Sequence, residues 1–188
     1  MKNALSCLLI VSLLAIAQTG MANMIANPDF TNGTTGWTDH TSGKALWDST
    51  NTNGSPYGAN VQLTNNTWFG LVTADYLHVE AGTTYWVSFM AKMVSNTSGT
   101  NPYLLNALGG VYTSYTAVST EWRTYTYSFT ANATGVFEYT FLNCSLRPGQ
   151  PADNTVVIAI DHISVVPEPA SMALLALGSL AVLRRRRK

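Results

Sequence analysis

Aromatic and hydroxyl-bearing residues alternate in the second half of the chain, and this alternation constrains the fold more than any other feature. Between Arg123 and Thr130, the aromatic residues Tyr125, Tyr127 and Phe129 fall on one parity, while threonine and serine fill the other. Successive side chains of a β-strand point to opposite faces of a sheet, so this segment predicts a strand with one buried aromatic face. No amphipathic helical period appears between the chain ends, and the body is predicted to be all-β.

The same period of two recurs in neighbouring segments. Residues 85–91 alternate in this way, and so do residues 136–141, which we expect to form a hairpin with residues 123–130. We therefore predict a single two-sheet antiparallel sandwich over residues 23–166. Turn-forming pairs separate the predicted strands: Asn32-Gly33, Asn53-Gly54, Ala81-Gly82, Ser98-Gly99 and Pro148-Gly149.

The last predicted strand, residues 156–166, contains an irregularity. Its apolar series changes parity at Asp161-His162 and resumes at Ile163. A β-bulge at this point would aim the Asp161 carboxylate differently from its neighbours. The alternative is that Asp161 caps a turn at the end of the chain.

Charge and cysteine content exclude several classes of protein. Charged residues make up only 11% of the chain, compared with about 25% in an average soluble domain. Residues 23–166 hold four basic and nine acidic residues, a net charge of −5, whereas phosphate binding requires clustered lysine and arginine. Nucleic acid is therefore excluded as the main partner. With only Cys7 and Cys144, neither a disulfide framework nor a cysteine-based zinc site is expected.

The N-terminal residues 1–22 have the features of a secretory signal peptide. Lys2 supplies the positive start, residues 8–17 form the apolar stretch, and Gly20-Met21-Ala22 provides small residues for cleavage. We therefore expect the protein to be exported.

The C-terminal residues carry a second targeting segment. Pro167, Glu168 and Pro169 precede the apolar and small residues 170–183. A helix over 170–183 would span about 21 Å, less than the roughly 30 Å hydrocarbon core, so by length alone it would cross a membrane only marginally. A basic cluster follows, which would stay on the cytoplasmic side and stop transfer: Arg184, Arg185, Arg186, Arg187 and Lys188.

This order of features closely resembles the PEP-CTERM sorting signal of bacterial exported proteins, also catalogued as an ice-binding-protein C-terminal domain. The resemblance implies that an exosortase recognises Pro167, Glu168 and Pro169, removes the helix, and releases the protein to the cell surface or matrix. It also implies a Gram-negative host that makes exopolysaccharide. The alternative is a plain C-terminal membrane anchor.

Four segments of the body resemble galactose-binding-like jelly rolls, which include many carbohydrate-binding modules. Residues 24–37 resemble the opening "N-x-x-F … G-W", and residues 81–89 the "G-x-x-Y-x-x-S-F" strand. Residues 122–129 match "W-x-x-Y-x-x-x-F", and residues 160–164 match the closing "I-D-D-I-S", with His162 in place of the second acid. The resemblance implies a jelly-roll sandwich that binds sugars. Because many of these modules hold a structural Ca²⁺, it also implies that Asp161 is a calcium ligand and Asp29 a possible second one.

Aromatic residues in polar, turn-rich segments are the candidates for sugar binding, because sugars stack their C–H faces on exposed rings. Trp47, Tyr57 and Trp68 form the first candidate set. The second comprises Tyr103, Tyr112 and Tyr115. Each ring could instead pack beneath a loop.

No catalytic motif is present, and the three histidines are far apart in sequence, so an enzyme is not expected. The sequence favours an exported, non-catalytic carbohydrate-binding module. A structural matrix protein without sugar binding is the alternative, and ice binding or glycoside hydrolysis is less favoured.

Overall fold

The computed structural model describes residues 22–39, 45–64, 71–97, 102–108, 111–115, 117–143 and 155–168. The chain divides into the compact unit Asn23–Val165 and a second unit that comprises Met1–Ala22 and Val166–Lys188. In the described residues, no helix has the length and hydrophobicity needed to cross a membrane. The predicted signal peptide up to residue 21, the apolar residues 170–183 and the basic cluster lie outside the described residues.

The described residues form twelve β-strands. In chain order they are β1 Trp37–Asp39, β2 Ala45–Asp48, β3 Asn60–Thr64, β4 Leu71–Thr73, β5 Leu77–Val79, β6 Thr84–Asn96, β7 Leu104–Leu108, β8 Val111–Tyr115, β9 Arg123–Thr130, β10 Gly135–Phe137, β11 Thr140–Asn143 and β12 Val156–Pro167.

Two five-stranded sheets build the body, one in the order β1-β4-β11-β7-β8 and the other in the order β2-β3-β12-β6-β9. A short two-stranded sheet pairs β10 with β5. The described strand pairs, such as β6 with β9 and β7 with β8, run antiparallel. The predicted all-β antiparallel jelly-roll sandwich is confirmed, because the strand order is that of two sheets packed face to face with long crossovers between them.

The expected hairpin between residues 123–130 and 136–141 is wrong. β9 pairs with β6, whereas β10 pairs with β5 and β11 pairs with β4 and β7. The chain therefore leaves one sheet after β9 and enters the other sheet at β11. Alternation specifies which face of a strand is buried, but it carries no information about which strand lies beside it.

The two inner faces meet through their aromatic rows. Phe89 and Phe141, which belong to opposite sheets, pack edge to face with ring centroids 4.9 Å apart. Trp37 packs 5.4 Å from Phe30 at the start of the domain. All four side chains are buried, and burial of one such side chain stabilises the fold by roughly 1.5–3 kcal/mol. The core is therefore built by the residues that the alternation places inward.

Buried polar side chains are also satisfied within this core. Asn106 donates through Nδ2 to the Tyr139 hydroxyl at 2.8 Å and accepts from the Tyr127 hydroxyl at 2.5 Å. Burial raises the pKa of both phenols, so both remain protonated. Asn143 on β11 donates to the carbonyls of Leu63 and Val156, which belong to the other sheet. These bonds fix how the two sheets pack, because an unpaired amide would be costly there.

The parity change in β12 is present. Ile160 and Asp161 are both fully buried, and burial resumes at Ile163. Between them, His162 adopts a left-handed backbone conformation with φ 48°. The Ile163 N–H donates to the Pro28 carbonyl at 3.0 Å, so this irregular point joins the last strand to the first loop of the domain.

Candidate functional site

The loop of residues 27–33 organises the candidate site. Asn27 donates through Nδ2 to the carbonyls of Gly33 and Thr35 at 2.8 and 3.1 Å, and its Oδ1 accepts from the Asn32 N–H. Phe30 anchors the loop in the core with no exposed surface. The loop is thus held both by its own hydrogen bonds and by a buried ring.

Trp47 lies against this loop. It belongs to the edge strand β2, and 46% of its surface is exposed. Its indole Nε1–H donates to the Phe30 carbonyl at 3.0 Å, and its ring lies beside Gly33. The polar atom of the ring is therefore paired with the protein, while nearly half of the side chain remains open to a ligand.

Tyr57 reaches the same loop through a histidine. The Tyr57 ring is 45% exposed and stacks on His162 with centroids 3.6 Å apart and planes 6° from parallel. The Nδ1 atom of His162 lies 2.6 Å from Oδ1 of Asp29, within the loop. Trp47 and Tyr57 are therefore positioned by adjacent residues, Phe30 and Asp29. We call Trp47, Tyr57, His162 and residues 27–33 the loop surface.

A buried carboxylate orders the segment that carries Tyr57. Asp48 accepts hydrogen bonds from Thr50, from the Thr52 hydroxyl at 2.9 Å, from the Asn53 N–H at 3.1 Å and from Asn60 Nδ2 at 3.1 Å. Burial alone would raise the pKa of Asp48, but these hydrogen bonds outweigh it and lower the pKa to about 2. Asp48 is therefore an ionised anchor of the loop and does not form part of an exposed groove.

Two hydrogen-bond donors from other strands and loops also hold this segment. The Asn53 carbonyl accepts from Lys92 Nζ and from Trp122 Nε1, both at 3.0 Å. The Ser55 hydroxyl accepts a hydrogen bond from the Tyr57 N–H at 3.2 Å and donates one to the Asp161 carboxylate. Tyr57 is thus presented by a loop with little freedom to reorganise.

Asp161 and Asp29 are the two predicted calcium ligands. Asp161 is fully buried and accepts from the Ser55 hydroxyl and from the His162 N–H. Its burial raises the pKa of Asp161 to about 6, the hydrogen bonds from Ser55 and His162 oppose this rise, and the nearby Asp29 carboxylate adds to it.

A hard cation would be attracted by these two neighbouring carboxylates, whose oxygen atoms are ligands of the type that Ca²⁺ prefers, and in this respect the residues fit. Among the described residues, however, no group of three or more His, Cys, Asp or Glu side chains is placed to hold a metal ion. Backbone carbonyls or water would therefore have to complete the shell, and the calcium site stays a prediction.

The remaining predicted residues are placed as follows. Trp68 lies outside the described residues, and so do Pro169 and the arginines 184–187. Tyr103 is half-buried, whereas Tyr115 packs edge to face on Phe89 in the core, and the Tyr112 side chain is not among those described. Pro167 is the last residue of β12 and Glu168 follows it.

The exposed ring on the outer face of β6 was assigned no binding role from the sequence. Trp86 on β6 is 48% exposed. The alternation of residues 85–91 already places it on the outer face of its strand, opposite the buried Tyr85 and Val87. A search for large rings on predicted outer faces, in addition to rings in loops, would have found it.

The fold and the exposed rings define a class of protein, a β-sandwich of the carbohydrate-binding type. Residues 22–142 match the family described as "Carbohydrate binding domain", and residues 165–188 match the "PEP-CTERM protein-sorting motif". The first match covers more than half of the chain, so the protein belongs to the carbohydrate-binding domain family. Both resemblances noted in the sequence are confirmed, and together they define an exported, sugar-binding protein.

Solved structures share the fold at low sequence identity. The carbohydrate-binding module "Family 16 Carbohydrate Binding Module-2" has a TM-score of 0.52 at 19% identity, over 77% of this chain and 99% of that one. The CBM22-2 xylan-binding domain of Xyn10C from Paenibacillus barcinonensis has a TM-score of 0.52 at 13% identity, over 75% of this chain and 98% of that one.

A larger protein contains a similar domain. The arabinose-bound α-L-arabinofuranosidase MgGH51 has a TM-score of 0.59 at 14% identity, over 79% of this chain. This chain spans only 27% of that protein's length. A sequence search of curated proteins finds no match.

Proposed function

We propose that this protein binds a neutral extracellular polysaccharide through the loop surface. The observation that carries the proposal is that Trp47 and Tyr57, 46% and 45% exposed, are both tied to residues 27–33, Trp47 directly and Tyr57 through His162. Exposed rings with flanking polar groups are what a sugar-binding site needs, because the C–H faces of a sugar stack on them.

The rigidity of the loop surface supports this proposal. The indole N–H of Trp47 is bonded to Phe30, and Tyr57 is stacked on a histidine that is bonded to Asp29. Ordering a mobile side chain on binding costs about 0.5–1.5 kcal/mol, so rings that are already fixed bind with less loss of entropy.

The charge of the domain supports a neutral ligand. Residues 23–166 carry four basic and nine acidic residues, for a net charge of −5. This negative field would repel acidic polysaccharides at moderate ionic strength. We therefore expect neutral glycans to be retained more strongly than anionic ones.

We infer further that the protein binds without hydrolysing its ligand. Glycoside hydrolysis needs two carboxyl groups on either side of the scissile bond. Asp29 belongs to the loop surface, but its neighbouring carboxylate Asp161 is fully buried and bonded to Ser55 and His162. Such a group cannot reach a bound sugar.

We also propose where the protein is located before and after processing, and that it holds a structural metal ion. The tail would hold the protein in the inner membrane through residues 170–183 until an exosortase-type enzyme processes it at Pro167, Glu168 and Pro169. The product would then lie on the surface or in the exopolysaccharide matrix of a Gram-negative bacterium. A structural Ca²⁺ held by Asp29 and Asp161 would stabilise the junction between the first loop and the last strand.

A retention assay tests sugar binding. The protein purified after export would be passed over insoluble xylan, cellulose and the host's own matrix, with alginate as an anionic comparison. We expect retention on at least one neutral glycan and release by a soluble oligosaccharide of the same glycan. A folded sample that is retained by none of them would overturn the proposal in favour of a structural matrix protein.

A further inference from the structure

We propose that this protein has a second carbohydrate-binding surface on the outer face of the β6–β9 strand pair, centred on Trp86. We call it the sheet-face surface. Its ligand class rests on the proposed function, but its location and residues are independent of the loop surface. It consists of Trp86, Thr84, Ser88, Thr126, Ser128 and Thr130.

The register of β6 and β9 surrounds the indole with hydroxyl groups. Trp86 lies directly opposite Ser128, where side chains of an antiparallel pair stand about 4.5–5.5 Å apart at Cβ. Thr126 and Thr130 are its diagonal neighbours on β9, at about 7–8 Å. Thr130 is further bonded to Thr84 through their hydroxyls at 3.0 Å, which fixes one side of the surface.

Four of the six residues of this surface are exposed, and Thr84 and Ser88 are half-buried. Trp86 is 48% exposed, and Thr126, Ser128 and Thr130 are exposed as well. β9 stands at the end of the strand order β2-β3-β12-β6-β9, so a ligand can approach from the edge of the sheet.

The chemistry favours a neutral glycan over a protein partner. The surface presents one aromatic ring and five hydroxyl groups, with no charged side chain among its members. A stable protein interface needs roughly 800 Å² from each partner and an apolar centre, which one indole among hydroxyls does not supply. A sugar ring matches the size of an indole, and its hydroxyls pair with those of serine and threonine.

The two surfaces lie apart on the same sheet. β2 carries Trp47, and β6 is three strands away, which at about 4.8 Å per strand is roughly 14 Å. Trp47 lies directly opposite the inward-facing Val61 of β3, so both side chains are on the inner side of the sheet. Trp86 stands between the inward-facing Tyr85 and Val87 along β6, so its side chain is on the outer side. The two rings therefore lie on opposite sides of the sheet, and one molecule could hold two polysaccharide chains.

The test measures both retention and bridging with the exported protein. Immobilised xylan measures retention, and light scattering of soluble xylan and hydroxyethyl cellulose measures bridging between chains. Four variants are compared with the wild type: Trp86→Ala, Trp86→Phe, the double variant Trp47→Ala with Tyr57→Ala, and Tyr76→Ala. Tyr76 is a matched exposed aromatic, 62% exposed, in the turn between β4 and β5.

We expect Trp86→Ala to abolish bridging and to weaken retention roughly a hundredfold, because two linked sites bind with avidity. Trp86→Phe keeps a smaller ring and should fall between this variant and the wild type, which separates binding from misfolding. Tyr76→Ala should behave as the wild type. The double variant should keep the retention that depends on Trp86.

Each outcome separates the two proposals. If the double variant loses all retention while Trp86→Ala bridges as well as the wild type, the sheet-face surface is wrong and the loop surface stands. If Trp86→Ala loses all retention and the double variant is retained and bridges as well as the wild type, the loop surface is wrong and the sheet-face surface stands. A wild type that neither is retained nor bridges would overturn both.

Discussion

The imidazole of His162 lies between the carboxylate of Asp29 and the ring of Tyr57, 2.6 Å from the first through Nδ1 and 3.6 Å from the second between ring centroids. These three residues come from the first loop, the last strand and the loop between β2 and β3. A left-handed backbone at φ 48° places His162 here, while the adjacent Asp161 stays fully buried. One irregular point in β12 thus determines both the exposed stack and the buried carboxylate.

Removing an exposed ring should weaken sugar binding without unfolding the protein. We expect Tyr57→Ala and Trp47→Ala each to reduce affinity for the retained glycan roughly tenfold or more, since a central aromatic anchor contributes about 2 kcal/mol. Both side chains are about half exposed, so the melting temperature should change little. Affinity electrophoresis and thermal melting measure the two effects.

Tyr76→Ala is the control for this experiment, because it removes an exposed ring that lies away from the loop surface, in the turn between β4 and β5. A lower melting temperature with unchanged affinity would show that Trp47 and Tyr57 serve packing alone.

Much of this architecture could be predicted from alternation, because burial on one face is a local property of a strand. The inward rows at Tyr85 and Phe129, the extent of β12 and its parity change at Asp161-His162 are all present. The partner of each strand could not be predicted in the same way. The expected hairpin after β9 failed because long-range pairing depends on packing between segments distant in sequence.

The candidate site was predictable in part for a similar reason. Trp47 and Tyr57 stand in polar segments where burial is difficult to explain, and both are exposed. The sequence could not show that Asp48, next to Trp47, is buried as a loop anchor. Nor could it show the Tyr57–His162 stack, since those residues are distant in sequence and meet only through the folded sheet.

The calcium proposal predicts that metal removal destabilises the domain. Chelation should lower the melting temperature of the wild type, and Asp161→Asn should eliminate this dependence. The amide keeps an acceptor for the His162 N–H and a partner for Ser55, so this variant should fold. In chelator, Asp161→Asn should be at least as stable as the wild type, because it removes a buried charge.

Differential scanning calorimetry with and without chelator measures both effects. Identical melts for the wild type under the two conditions would eliminate the calcium site, whatever the variant does.

The lowered pKa of Asp48 predicts that the free energy of unfolding decreases in acid. Its pKa falls from 3.8 to about 2 on folding, because hydrogen bonds to the carboxylate outweigh the effect of burial. A lowered pKa gives stability that is present above pH 3.8 and is lost as pH falls toward 2. At roughly 1.4 kcal/mol for each unit, the fall from 3.8 to about 2 corresponds to a contribution of about 2–3 kcal/mol.

Urea unfolding of the wild type and of Asp48→Asn over a pH series measures this contribution. The variant should be less stable at pH 7, and the difference should shrink as pH falls below 4. Asp75→Asn, an exposed position between β4 and β5, should change stability at pH 7 by less than about 0.5 kcal/mol. A difference between Asp48→Asn and the wild type that is constant over the whole series would contradict the ionised anchor.

The sorting motif begins where the last strand ends. Val165 is still held by Asn23, whose Oδ1 accepts its N–H at 2.9 Å, and β12 then ends at Pro167, which has no N–H to continue a ladder. Replacing Pro167, Glu168 and Pro169 by alanine should therefore leave the sandwich folded but prevent processing, so that uncleaved protein accumulates in the inner membrane. Fractionation and intact mass measure this, with Glu138→Ala, an exposed residue of the domain, as the control. If the altered protein reached the medium at its processed mass, recognition would depend on another part of the tail.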